Sequence, residues 1–201
     1  MRGRGRKLPL EVRELVLLCL LSWLGRRGRY YLVGQTSLGE GEVRYTLARL
    51  RDRGLVESSR GGTAITDEGR EHLRRVLEGV GISMVGREDL EWLVGKKHAV
   101  VVVYEGGLEE NVLDVRDRAV RYGASGAIIL KVEERRVTMP PDERDISAYL
   151  PKLSRLIREK YLEGGERERT IVMAFADRLG DALCGALCSI LMAQTLHNVS
   201  M

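Results

Sequence analysis

Arg44, Tyr45 and Arg49 recur on one side of a helical stretch, together with Gly41, Ala48 and Asp52. Guanidinium groups reach phosphates or guanine edges, and a tyrosine touches a phosphate or a thymine methyl. The glycine and alanine on the same face allow a helix to approach a DNA groove closely. Arg60 sits between Ser59 and two glycines, and Arg26 and Arg27 lie between Gly25 and Gly28. These turns are places from which arginines can contact phosphate. Glu40 and Glu42 oppose DNA contact unless they serve the helix N-terminus, or Glu42 accepts from a cytosine amine. A solvated basic face would show the same residues.

A second cluster is Ala176-Asp177-Arg178-Leu179-Gly180-Asp181. A helix is expected to begin here directly after a buried strand, so free backbone N–H groups point outward. That is an anion site which Arg178 can assist, with Asp177, Arg178, Gly180 and Asp181 as ligand-binding residues. The alternative is that Asp177 or Asp181 caps the helix and Arg178 is solvated. Nothing else forms a catalytic constellation. His72, His98 and His197 are isolated in sequence, and Gly106-Gly107 and Gly164-Gly165 are lone loop pairs. Cys184 and Cys188 share a helical face, but a closed zinc site needs four ligands and no other pair is near. No catalytic residue, metal or cofactor is assigned.

The elements that must carry these groups follow from periodicity. Leu8 to Leu24 is a helix with Pro9 in its first turn and a wide apolar stripe at Val12, Leu15, Val16, Cys19, Leu20 and Trp23. Tyr30 to Thr36 is a short second helix. Val43, Leu47 and Leu50 repeat at helical spacing, and Gly54 ends that helix. Leu55–Ser59 and Thr63–Thr66 flank Arg60-Gly61-Gly62 as a hairpin. Thr66 then caps a helix to Val80, with Asp67 and Glu68 in its first turn.

Helix, glycine, hairpin with a basic tip, capped helix: this stretch resembles the prokaryotic winged helix-turn-helix transcription regulators. The carrying residues are VRYTLARLRDRGLVE (Val43 to Glu57) and ITDEGREHL (Ile65 to Leu73), and the resemblance covers roughly residues 8–80. It implies double-stranded DNA as partner. The exposed face of the third helix would enter the major groove, and Arg60 on the wing the adjacent minor groove. More weakly, the whole chain is similar to archaeal winged-helix proteins with an uncharacterised α/β C-terminal domain.

Charge is unevenly spread. Residues 1–80 hold 16 Lys or Arg against 10 Asp or Glu, and residues 81–201 hold 17 against 19. A basic first half suits a polyanion. Arg2, Arg4, Arg6 and Lys7 form a basic arm, suited to phosphates or a minor groove. The three cysteines give no disulfide framework, no signal peptide is visible, and the apolar run Leu15–Leu21 is too short to span a bilayer. A cytoplasmic protein without a membrane partner is expected. Scarce Gln and Asn beside abundant Arg and Glu lean toward a thermophile.

Gly79, Gly81 and Gly86 mark a boundary, with residues 81–97 as linker and a short helix from Arg87 to Val94. Residues 98–201 then alternate: strand Ala99–Tyr104, helix Glu109–Tyr122, strands Gly126–Val132 and Arg136–Met139, helix Ile146–Leu162 interrupted near Pro151, strand Thr170–Ala176, helix Leu179–Leu196. This βαββαβ order with a last helix predicts a ferredoxin-like antiparallel sheet with helices on one side. The class is thus α+β, and a three-layer α/β domain is the alternative. The functional expectation is a homodimeric DNA-binding regulator whose second domain dimerises and binds a small effector. The alternatives are an enzyme or metabolite binder acting on a phosphorylated or acidic compound through residues 177–181, and a protein-interaction adaptor using Glu40 and Glu42.

Overall fold

A computed structural model describes residues 8–108, 110–162 and 167–197. The basic arm at residues 2–7 and the Gly164-Gly165 pair lie outside them. The chain is mixed α+β. The helices α1 (Leu10–Leu24), α2 (Arg29–Gln35) and α3 (Glu40–Asp52) come first. The hairpin β1 (Val56–Ser59) and β2 (Gly62–Ile65) and the helix α4 (Asp67–Gly79) follow. Thr66 caps α4 as its sequence position requires, accepting from the Gly69 N–H at 3.0 Å.

The remainder is β3 (Ile82–Glu88), α5 (Glu91–Val94), β4 (His98–Glu105), α6 (Val112–Arg121), β5 (Gly126–Glu133), β6 (Arg136–Met139), β7 (Asp142–Asp145), a 3-10 turn at Ile146–Ala148, α7 (Pro151–Lys160), β8 (Arg169–Ala176) and α8 (Leu179–His197). The six strands from β3 to β8 form one antiparallel sheet in the order β3-β4-β8-β5-β6-β7. Pro151 splits the helix expected over 146–162 and begins α7 at its first turn, where its missing N–H costs nothing.

Two expectations fail here for physical reasons. The ferredoxin-like order would seat the Arg136–Met139 strand beside the first strand. Instead Glu134 and Arg135, both at positive φ, turn β6 tightly back along the outer edge of β5. The last strand, β8, fills the slot between β4 and β5. Helices on one side also cannot suffice. Val100, Val102, Val172 and Ala174 face α6 and α8, while Val101, Val103, Ile171 and Met173 face α7, and all eight are buried. Central strands apolar on both faces need cover on both, which gives three layers.

Residues 82–88, read as linker, supply the edge strand β3. Gly86, taken for a boundary glycine, is where the Tyr161 ring lies against the strand, in space a Cβ would occupy. The Tyr161 hydroxyl donates to Glu88 Oε1 at 2.8 Å.

The first helix joins everything. Val16, Leu17, Leu18, Leu20 and Leu21 on α1 are fully buried all round the helix. One apolar cluster runs from α1 through α3 and the hairpin to α8 and one face of the sheet. The basic and acidic halves therefore share a core, and they are expected to unfold together. Each half carries one tryptophan, Trp23 on α1 and Trp92 on α5. Urea midpoints read separately from Trp92 in Trp23→Phe and from Trp23 in Trp92→Phe should coincide, and Leu18→Ala should cost about 2–5 kcal/mol at both probes. Separate midpoints would mean independent halves.

Candidate nucleic-acid interface

The face presented by α3 is built from its buried side outward. Val43, Thr46, Leu47 and Leu50 point into the core and fix the rotation of the helix. Gly41, Arg44 and Tyr45 are then exposed, Tyr45 by 54%, and Ala48 lies half-buried on the same side. Glu42 does not face a partner's groove. It caps the start of α3 by accepting from the Gly39 N–H at 3.0 Å and pairs with Arg13 at 3.4 Å. Glu40 pairs with Arg29 of α2 at 3.0 Å. The two carboxylates that weigh against DNA are thus engaged within the protein.

The predicted arginines divide into three kinds. Arg44 and Arg60 are exposed, and among the described residues neither guanidinium takes part in a hydrogen bond or ion pair. Arg26 is a brace: it donates to Ser59 Oγ at 2.9 Å and to the Gly62 carbonyl at 3.0 Å, and pairs with Glu57, so it holds the hairpin. Arg27 extends that hairpin through two backbone bonds to Thr63, each 2.9 Å, and lies over the Tyr31 ring.

Arg49 is turned partly inward. Its Nε meets Glu14 Oε1 at 3.1 Å, while Arg53 meets Glu14 Oε2 at 2.7 Å. Glu14 is 8% exposed at the start of the apolar run of α1, where an unpaired carboxylate would be costly. The hydrogen bond to Glu14, then one to Tyr45, raises the Arg49 pKa above its ordinary value. Arg49 therefore neutralises Glu14 more than it reaches outward. Arg53 also approaches His72 Nε2 at 3.1 Å, and burial together with Arg53 and Arg75 depresses the His72 pKa.

Periodicity missed two neighbours of this face. Tyr30 is 71% exposed and Tyr31 45%, each with a guanidinium over its ring, Arg29 at 5.0 Å and Arg27 at 5.4 Å. The run Arg26-Arg27-Gly28-Arg29-Tyr30-Tyr31 carried that signal as arginines adjoining exposed aromatics.

The second predicted site is closed. Arg178 Nε holds Asp181 Oδ2 at 2.7 Å, its Nη1 donates to the Thr36 carbonyl at 2.8 Å, and its Nη2 to Ser37 Oγ at 2.6 Å. Asp181 Oδ1 accepts from the Ser37 N–H at 2.7 Å. Gly180 lies directly beneath Gln35 and Thr36. The groups expected to bind an anion are thus satisfied by the α2–α3 bend, and Asp177 pairs with Lys96 at 2.6 Å. The cysteine pair is likewise buried: desolvation pushes the Cys188 thiol up to about 12 and Cys184 well above its ordinary value. Among the described residues no group of three metal-ligating side chains converges, and no helix is long and apolar enough to cross a membrane. A polar groove of about 480 Å³ opens beside β5–β7, between Lys131, Arg136, Thr138 and Asp142.

The sequence pattern of a domain of unknown function, DUF4443, matches residues 93–195, just over half of the chain. The chain belongs to the DUF4443 family. In the DUF4443 stretch lie the end of α5, then α6 and α7, β4 to β8 and most of α8. A hypothetical protein, PH0730 from Pyrococcus horikoshii OT3, shares the fold with a TM-score of 0.70 at 22% identity. That similarity spans 94% of this chain and 95% of the archaeal one, so it includes the helices and hairpin that precede the DUF4443 match. No curated protein matches the chain.

The division of labour among the arginines is open to measurement. Arg49→Ala should lower the urea midpoint clearly, because it leaves one side of the buried Glu14 carboxylate unpaired. Arg44→Ala should stay within about 0.5 kcal/mol, as surface changes usually do. Urea denaturation of both variants checks this, and equal losses would contradict the assignment.

Proposed function

We propose that this protein is a DNA-binding transcription regulator whose first 80 residues act as a winged helix-turn-helix. The observation that carries it is the pairing of Arg44 on α3 with Arg60 at the β1–β2 tip, both exposed and unengaged among the described residues, around a helix face kept low by Gly41 and Ala48. In this reading α3 enters the major groove with Arg44 and Tyr45 toward bases and phosphates. The hairpin lays Arg60 in the neighbouring minor groove. Arg27, Tyr30 and Tyr31 follow the phosphates beside α2. Arg26 and Arg49 support the face without carrying its contacts.

Two copies bound to a two-fold symmetric site would multiply a weak single-domain affinity. The DUF4443 domain would then supply the dimer contact and respond to an effector. An adaptor role resting on Glu40 and Glu42 loses its support, since Arg29 and Arg13 engage both. Chemistry at Asp177–Asp181 loses its support because the turn is filled.

The test is the salt dependence of binding to mixed-sequence duplex DNA. For the wild type, log affinity should fall steeply with log salt. Arg44→Ala and Arg60→Ala should each weaken binding and flatten that slope by about one. Unchanged affinity and slope in both variants would overturn the proposal.

A further inference from the structure

The turn from β8 into α8 and the bend from α2 into α3 form one hydrogen-bonded unit. Asp181, 5% exposed, accepts from the Ser37 N–H while Arg178 spans the Thr36 carbonyl and the Ser37 hydroxyl. Thr36 is 1% exposed, and its hydroxyl donates to the Leu32 carbonyl and accepts from the Leu38 N–H, each at 3.3 Å. Leu38 is buried, and the next residue, Gly39, caps α3. At Gly180 a Cβ would overlap the Gln35 carbonyl and the Thr36 methyl, so the backbones touch there. The other end of this clamp is rigid, because α8 packs on α1, β4 and β8 within the shared core.

Apolar contacts alone leave a bend free to slide, whereas three directional bonds to a buried carboxylate and its guanidinium fix its position. We infer that Arg178 and Asp181 are positioning residues for α3. They set the height and tilt at which Gly41, Arg44 and Tyr45 are presented, and so make the sheet domain part of the DNA-reading unit. This rests on the DNA-binding proposal, which the same experiment tests separately.

Full-length wild type, Gly180→Ala, Asp181→Asn and Ser37→Ala are titrated with mixed-sequence duplex DNA across a salt series, and their amide exchange is followed. Gly180→Ala and Asp181→Asn should each lose about tenfold in affinity with the salt slope unchanged, because no phosphate contact is removed. Amides from Ser37 to Val43 should exchange faster, while β4 and β8 keep wild-type protection. Ser37→Ala, which removes one hydroxyl at the surface, should weaken binding about twofold to threefold and serves if Gly180→Ala does not fold.

Wild-type affinity in the clamp variants overturns the inference and leaves DNA binding standing. A slope reduced along with affinity also overturns it, by making Arg178 and Asp181 part of the contact surface. If the wild type itself binds no duplex, the DNA proposal fails. Exchange then decides the clamp alone: unchanged protection from Ser37 to Val43 overturns it, and faster exchange upholds it.

Discussion

A helix that is apolar on every side has to be covered on every side, and α1 is such a helix. From Leu15 to Leu21 each residue is buried. A small three-helix and hairpin unit can shield one stripe of a helix, and the rest of α1 would face water. The sheet domain supplies the missing cover through α8. Burial of this kind contributes on the order of 1.5–3 kcal/mol per large side chain, which is enough to make the two halves one folding unit. The position of α3, of the hairpin and of every group on their outer face descends from that packing.

Within this core a single buried charge sorts the arginines. Glu14 is satisfied by Arg49 and Arg53, which commits those two cations to the protein. Glu40, Glu42 and Glu57 take Arg29, Arg13 and Arg26 in the same way. What is left outward is a narrower basic face than the net charge suggests, centred on Arg44 and Arg60 and bordered by exposed tyrosines. Such pairs at the surface add little stability, and their consequence here is orientation.

Much of this was legible in the sequence because it is local. Helical spacing at Val43, Leu47 and Leu50, the two-glycine turn after Arg60 and the Thr66 cap each depend on residues within a few positions, and each element formed as read. The strand β3 was not legible, because Ser83 and Gly86 break its apolar pattern and the glycine answers to Tyr161, 75 positions away. Strand order was beyond reach for the same reason: nothing in β8 announces that it lies between β4 and β5. The Asp177–Asp181 turn starts a helix as its sequence suggests, but Arg178 is neither open to an anion nor solvated. Its partners, Thr36 and Ser37, lie more than 140 residues earlier and could not be seen from the turn itself. Glu14 was a missed signal, a carboxylate at the head of the apolar run Leu15–Leu21 whose burial requires a cationic partner.

In the proposed function, α3 and the hairpin read DNA as a rigid part of the whole molecule. Selection of full-length protein against a random duplex library, sequenced after rounds at low and at moderate salt, addresses it most directly. An enriched, two-fold symmetric sequence, with half-sites about one helical turn apart, is the expected outcome. Retention without any enriched sequence, or no salt-dependent retention at all, would contradict it and leave the outer face of α3 without a nucleic-acid role.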